Sequence, residues 1–255
     1  ILSINEDIKI ENNIGFKVFD EDLIFNNDQL KSLRNLKEKY DYINWNDGQD
    51  INRRKPFLLT KDINIEKDVK NIIDGILPTA SNYIGSLPVL LNVQYWYSSN
   101  KISVPNRSQS WHMDQGDLKN LKIMIPIDDV TNDSGPLNVI PAFKSNFLFK
   151  KLIKKKIVNK RNKKLSDDVI ENNMEENNFQ NAIIMKKNQI GFADTCRCYH
   201  YGSRIAKRPR KLIVIWLVSA YSLHLPLFRR KINQEKSYIK KKKRRTRINQ
   251  THQGI

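Results

Sequence analysis

The chain has 255 residues, 39 % hydrophobic and 28 % charged, with a formal net charge of +18, which is long enough to bury a sizeable core as one large domain or two small ones. Residues 144–164 carry ten Lys or Arg and no acid, and residues 229–255 carry eleven and one Glu, so each stretch holds +10 and the rest of the chain −2. A basic groove through the core is thereby excluded, and contact with nucleic acid or an anionic surface is left to the periphery, where solvated lysine-rich segments are the commoner meaning of such runs.

Residues 26–43 place Leu30, Leu33, Leu36 and Tyr40 at near-helical spacing, with Asn27 or Asp28 as N-cap. Residues 66–85 repeat the style with Val69, Ile72, Ile73 and Ile76, and Pro78 is expected to end or kink that helix. From residue 90 the pattern changes to short β-type runs at 91–98, 121–127, 137–141, 182–187, 190–194 and 211–219, with the turn-rich DDVTNDSGP at 128–136. Strands at these intervals, without alternating helices, predict an antiparallel sandwich or jelly roll. Residues 142–181 interrupt them, first basic and then acidic, with Ser166 placed to cap a short helix. A stretch of that length inside a β-domain reads as a lid, an insertion or a disordered loop. The expected organisation is one domain over 1–228, with helical material at about 20–86, a jelly-roll core at about 90–220 and the lid at about 142–181. A basic, disordered tail follows at 229–255. The apolar run at 212–221 is half the length that crosses a bilayer, and no secretory segment is recognisable at the amino end. Two cysteines, Cys196 and Cys198, are too few for a disulfide framework and suit a reducing, cytoplasmic compartment.

The chemistry starts at WHMD, residues 111–114. In an extended chain His112 and Asp114 point to the same side. By itself such a pair is weak evidence and more often means two residues that merely share a face. Of the other histidines, His252 lies in the tail and His224 follows the last strong strand, whereas His200 ends a strand-like run. Two histidines and one carboxylate form the set that holds Fe(II) with coordination positions left open. The competing reading of His200 is a core histidine satisfied by a backbone carbonyl. Ten residues beyond His200, Arg210 opens the most apolar strand, where a guanidinium can grip a carboxylate with two hydrogen bonds. Arg204 or Arg208 could serve instead.

Three stretches carry a resemblance when taken in order: WHMD, DDVTNDSGPLNVIP at 128–141, and GFADTCRCYHYGSR at 191–204 followed by RPRKLIVIW. Over residues 90–220 this succession resembles the phytanoyl-CoA dioxygenase family of Fe(II)/2-oxoglutarate oxygenases. The resemblance implies a mainly β fold with flanking helices, a cupin-like jelly roll built as a double-stranded β-helix. It implies Fe(II) on His112, Asp114 and His200, with 2-oxoglutarate chelating the metal and its far carboxylate on Arg210. O2 would be consumed, succinate and CO2 released, and a small organic substrate hydroxylated. A carboxylate at Asp114 favours hydroxylation, because related halogenases carry a small residue there. Gln94 and Ser203 are further candidates for contact with the cosubstrate, and Asp194 is a candidate for orienting His200 through its second ring nitrogen. Cys198 reads as packing, and Trp96, Trp111 and Trp216 as core or pocket wall.

The chain departs from the family where Ala142, Phe143 and Lys144 replace a Gly-Ser-His, and where Gly191 and Asp194 stand apart. Both departures bear on substrate and lid. The lysines of 144–164, if they flank the mouth of the site, suit an anionic substrate. Two alternatives stand beside this reading. One is a nucleic-acid or anionic-surface binder that uses the basic tail on a jelly-roll scaffold without turnover. The other is a jelly-roll metal enzyme that does not use 2-oxoglutarate.

Overall fold

A computed structural model describes residues 6–42, 58–98, 107–159, 163–174, 179–204 and 207–225; the basic tail at 229–255 and His252 lie outside them. The elements run β1 (Phe16–Asp20), α1 (Glu21–Ile24), α2 (Asn27–Asp41), β2 (Leu58–Asp62), α3 (Lys67–Ile84) and β3 (Val89–Ser98). They continue as β4 (Asn120–Pro126), β5 (Leu137–Val139), α4 (Ala142–Lys154), α5 (Asp167–Glu171), β6 (Asn181–Ile183), β7 (Gln189–Ala193), β8 (His200–Tyr201) and β9 (Arg210–Val218). One sheet has the order β1-β7-β4-β9-β3-β2 and a smaller one β6-β5-β8. Every pairing in both is antiparallel. The fold is mainly β with flanking helices, the jelly roll predicted from the strand pattern.

Period-two alternation decides what each face of the large sheet meets. Val93, Tyr95 and Tyr97 of β3, Leu121, Ile123 and Ile125 of β4, and Ile213, Ile215 and Leu217 of β9 share a core with Leu33 and Leu36 of α2 and Ile72 and Ile76 of α3. Residues of the other parity, among them Gln94, Lys122, Arg210 and Leu212, line a cavity on the opposite face. The two helices therefore close one side of the sheet and leave the other side for chemistry.

Asn26 caps α2 one residue earlier than expected, in a reciprocal box with Gln29. Pro78 does not end α3, which continues to Ile84 and stops at Gly85 with φ 84°. The buried stripe of Ile72 and Ile76 continues through Thr79, Ala80 and Tyr83. Burying that extra turn outweighs the one hydrogen bond that a proline removes. The edge strands β1 and β2 were not legible in the alternation. Residues 142–154, the first part of the expected lid, insertion or disordered loop, form α4. Its buried face, Ala142, Ser145, Leu148 and Leu152, reaches a second core with Trp111, Ile140, Leu165, Ile170 and Tyr199. Lys144, Lys150, Lys151 and Lys154, together with the exposed Phe143 and Phe147, surround that stripe and hide it in the sequence. Ser166 holds the N-cap position of α5, but its side chain makes no capping bond. No helix among the described residues is long and apolar enough to cross a membrane.

The helix layer has a tight point at Gly75, where a Cβ would lie 2.6 Å from Cδ1 of Phe25 and 2.9 Å from the Gln29 side-chain oxygen. Phe25 is itself buried. Gly75→Ala is expected to lower the unfolding free energy by about 1 kcal/mol, because overpacking exceeds the gain in helix propensity. Urea denaturation measures this, and a variant more stable than wild type contradicts it.

Candidate metal and carboxylate site

After a short 3-10 turn at Arg107–Gln109 the chain runs extended, and His112 forms an isolated antiparallel bridge with His200 of β8. The His112 N–H donates to the His200 carbonyl at 3.0 Å and the His200 N–H to the His112 carbonyl at 2.9 Å. Two imidazoles thus spring from neighbouring backbones, with ring centroids 4.2 Å apart. Each Nδ1 faces a carbonyl two residues back, that of Ser110 at 2.8 Å for His112 and that of Cys198 at 3.0 Å for His200. A carbonyl can only accept, so both rings carry their proton on Nδ1 and keep the Nε2 lone pair available. Asp114 completes the group with Oδ1 3.7 Å from Nε2 of His112. The potential ligand atoms of the three residues lie within 4.8 Å of one another.

Burial pushes His200 down to about 3, with His112 and Lys122 adding to the effect, and burial lowers His112 as well. Both imidazoles are therefore neutral at physiological pH, the state that binds a metal. Burial alone would raise the Asp114 carboxyl. The Lys122 ammonium outweighs it and holds the carboxyl below its ordinary range. Oδ2 of Asp114 accepts from Lys122 Nζ and from the Thr195 hydroxyl, each at 2.6 Å. Sequence reasoning missed both residues. The signal for Lys122 was present, since in NLKIMIP it shares parity with Met124 and opposes Leu121, Ile123 and Ile125.

Asp194 does not touch His200, contrary to expectation. It opens a turn, and its side chain folds back onto it. Oδ1 accepts from the N–H groups of Cys196 at 3.1 Å and Arg197 at 3.2 Å, and Oδ2 accepts from the Tyr83 hydroxyl at 2.8 Å. The Cys198 carbonyl already occupies the ring nitrogen that Asp194 was expected to hold. Cys198 is packing, its Sγ 3.5 Å from the Ile14 carbonyl oxygen.

Arg210 stands opposite Ser98 in the β3–β9 register. It is 6 % exposed. One guanidinium nitrogen donates to Ser203 Oγ at 2.8 Å and Ser98 Oγ at 3.3 Å, and the buried Nε has no partner. Burial lowers this group to about 10, which still leaves it charged at neutral pH. Arg204 pairs with Asp167 at 2.8 Å and lies over the Tyr201 ring. The exposed Arg208 donates to the Thr131 hydroxyl at 2.7 Å. Neither lines the cavity.

One cavity of about 370 Å³ brings together His112, Asp114, His200, Arg210, Gln94 and Ser203. The Gln94 amide is engaged within the protein, accepting from Trp96 Nε1 at 2.9 Å and donating to Asp62 at 2.8 Å. Trp96 and Trp216 are wall, whereas Trp111 belongs to the second core. His224 lies against Trp216 and faces the Gln115 carbonyl. No described residue of 144–164 lines this cavity, though the Lys164 charge is felt at His112. Lys163 instead lines a different cavity with Phe143, Phe149 and Arg197.

No family model matches the chain, and no curated protein matches its sequence. Solved structures do match. HygX from Streptomyces hygroscopicus, with nickel and 2-oxoglutarate bound, aligns at TM-score 0.50 and 10 % identity over 82 % of this chain and 85 % of its own. HygX with iron bound aligns at TM-score 0.50 and 13 % identity over 82 % and 84 %. EvdO2 from Micromonospora carbonacea var. aurantiaca aligns at TM-score 0.55 and 17 % identity over 86 % and 92 %. The chain has the same fold as these proteins.

Proposed function

We propose that this protein is an Fe(II)- and 2-oxoglutarate-dependent dioxygenase that hydroxylates a small organic substrate, of the phytanoyl-CoA dioxygenase type. The observation that carries this reading is the buried Arg210 guanidinium. It has no acidic partner among the described residues and shares one cavity with His112, Asp114 and His200. A charge buried without a counterion is costly, so the site calls for an anion. The donor set suits iron: two neutral imidazoles with free Nε2 atoms and one ionised carboxylate. The matched HygX structures hold iron, or nickel with 2-oxoglutarate.

His112, Asp114 and His200 would hold the metal, and Arg210 would pair with the far carboxylate of 2-oxoglutarate. Bound Fe(II) supplies the means to activate O2, so that 2-oxoglutarate leaves as succinate and CO2 and the substrate gains a hydroxyl. The protein's own part is positional. The Ser110 and Cys198 carbonyls fix the two rings, the Thr195 hydroxyl fixes Asp114, and Ser98 and Ser203 aim Arg210. Met124, Leu137, Leu212 and Val214 provide apolar wall that excludes water.

Anaerobic titration with Fe(II) and then 2-oxoglutarate is expected to produce a weak visible charge-transfer band. His112→Ala removes it. The absence of a band in wild type, or its survival in His112→Ala, overturns the reading.

A further inference from the structure

Lys122 is a charged group of the cavity that the reaction above does not require. Three charged side chains line the described wall: Asp114, Lys122 and Arg210. Asp114 and Arg210 balance each other, and a divalent ion balances the doubly negative 2-oxoglutarate. The filled pocket then keeps one unit of positive charge, which belongs to Lys122. Its side chain is only 14 % exposed, and an uncompensated charge in such a place is unfavourable.

The present partner of Lys122 is the Asp114 carboxylate at 2.6 Å, the same group that a metal would share. The ammonium has somewhere else to rest. It lies 4.7 Å from the centroid of the Trp216 ring and 5.8 Å from that of Trp96, within the range of cation–π attraction. Both rings line the cavity.

Building on the dioxygenase reading, we propose that Lys122 anchors an anionic group, a carboxylate or phosphate, on the primary substrate, and exchanges Asp114 for it once that carboxylate is shared with the metal. The preference for an anion then comes from one buried ammonium beside the reacting centre, in a cavity that no described lysine of 144–164 lines. The two tryptophan faces favour a flat or apolar body next to the anionic group.

The experiment uses the full chain loaded with Mn(II) and saturating 2-oxoglutarate. Benzoate is the probe, benzamide its neutral isostere, and calorimetry and tryptophan emission are the readouts. Wild type is expected to bind benzoate at least tenfold more tightly than benzamide. Lys122→Met abolishes the preference and Lys122→Arg retains it. Equal binding of the two probes by wild type, or a charge preference that survives in Lys122→Met, overturns the proposal. The anaerobic Fe(II) and 2-oxoglutarate band, recorded on the same proteins, separates the two readings. Its absence in wild type removes the dioxygenase assignment, whereas a normal band without charge preference removes only the anchor. Loss of the band in Lys122→Met also overturns the proposal, because Lys122 is then needed to build the cofactor site.

Discussion

Replacing Arg210 with methionine is expected to weaken 2-oxoglutarate binding at least 100-fold while leaving Mn(II) affinity within about threefold of wild type. Removing one partner of a buried charge pair costs about 2–5 kcal/mol, and 100-fold corresponds to about 2.7 kcal/mol. The guanidinium is buried, held by two serine hydroxyls, and one of its nitrogens has no partner. It stands ready for an anion that none of the described residues supplies. The same substitution carries a second expectation of opposite sign. Without ligand, Arg210 is a buried cation lacking a counterion among the described residues, so Arg210→Met is expected to raise the stability of the ligand-free protein by about 1–3 kcal/mol. Equilibrium dialysis with labelled 2-oxoglutarate and thermal unfolding of the ligand-free protein give the two measurements. A variant that binds 2-oxoglutarate normally refutes the assignment of Arg210. A variant that loses both binding and stability makes Arg210 a structural residue.

The second large effect is expected at Asp194. Asp194→Ala strips the acceptor from the buried Tyr83 hydroxyl and leaves the Cys196 N–H only Asn120 Oδ1 and the Arg197 N–H only the residue 194 carbonyl. Buried donors left unpaired cost about 1–3 kcal/mol each, partly relieved by water. A loss of about 2–3 kcal/mol follows, with weakened metal binding, because the turn carries the Thr195 hydroxyl that holds Asp114. Asp194→Asn keeps an acceptor for the turn and a donor for Tyr83, and is expected to lie within about 1 kcal/mol of wild type at pH 7. The pH dependence separates the two forms. Burial raises the Asp194 carboxyl to about 6, above its value in the unfolded chain of about 3.9. The folded protein therefore binds this proton more tightly. The resulting stability is present below about pH 4 and is lost as pH rises through about 6. Wild type should gain about 2–3 kcal/mol relative to Asp194→Asn between pH 7 and pH 4. Urea unfolding of both proteins at the two pH values measures it. A constant difference would mean that Asp194 is not held in an environment hostile to its charge.

Much of the fold was legible because it rests on local periodicity. The near-helical spacing of Leu33 and Leu36 marked α2, and the alternation in VQYWY and KLIVIWLV marked β3 and β9. The elements that were missed are those where another signal masks the period. β1 and β2 are short edge strands, β8 has two residues, and the apolar stripe of α4 is buried in sequence among lysines. Pro78 shows the limit of a purely local rule. A proline weakens a helix, yet the buried stripe that continues to Tyr83 carries α3 through it.

The candidate site divides along the same line. The sequence by itself determined the donor chemistry: a histidine and an aspartate two apart on an extended segment, a second histidine far along the chain, and an arginine at the head of an apolar strand. It also determined which face of each strand these residues share, because that depends only on parity. Tertiary structure alone decided what stands opposite each of them. Of Arg204, Arg208 and Arg210, it brought only Arg210 to the cavity. It assigned the second nitrogen of His200 to the Cys198 carbonyl and turned Asp194 back onto its own turn. It also set Lys122 against Asp114. The physical reason is that parity is a property of one strand, whereas a partner across a cavity depends on sheet order and register, which the packing of the whole chain settles.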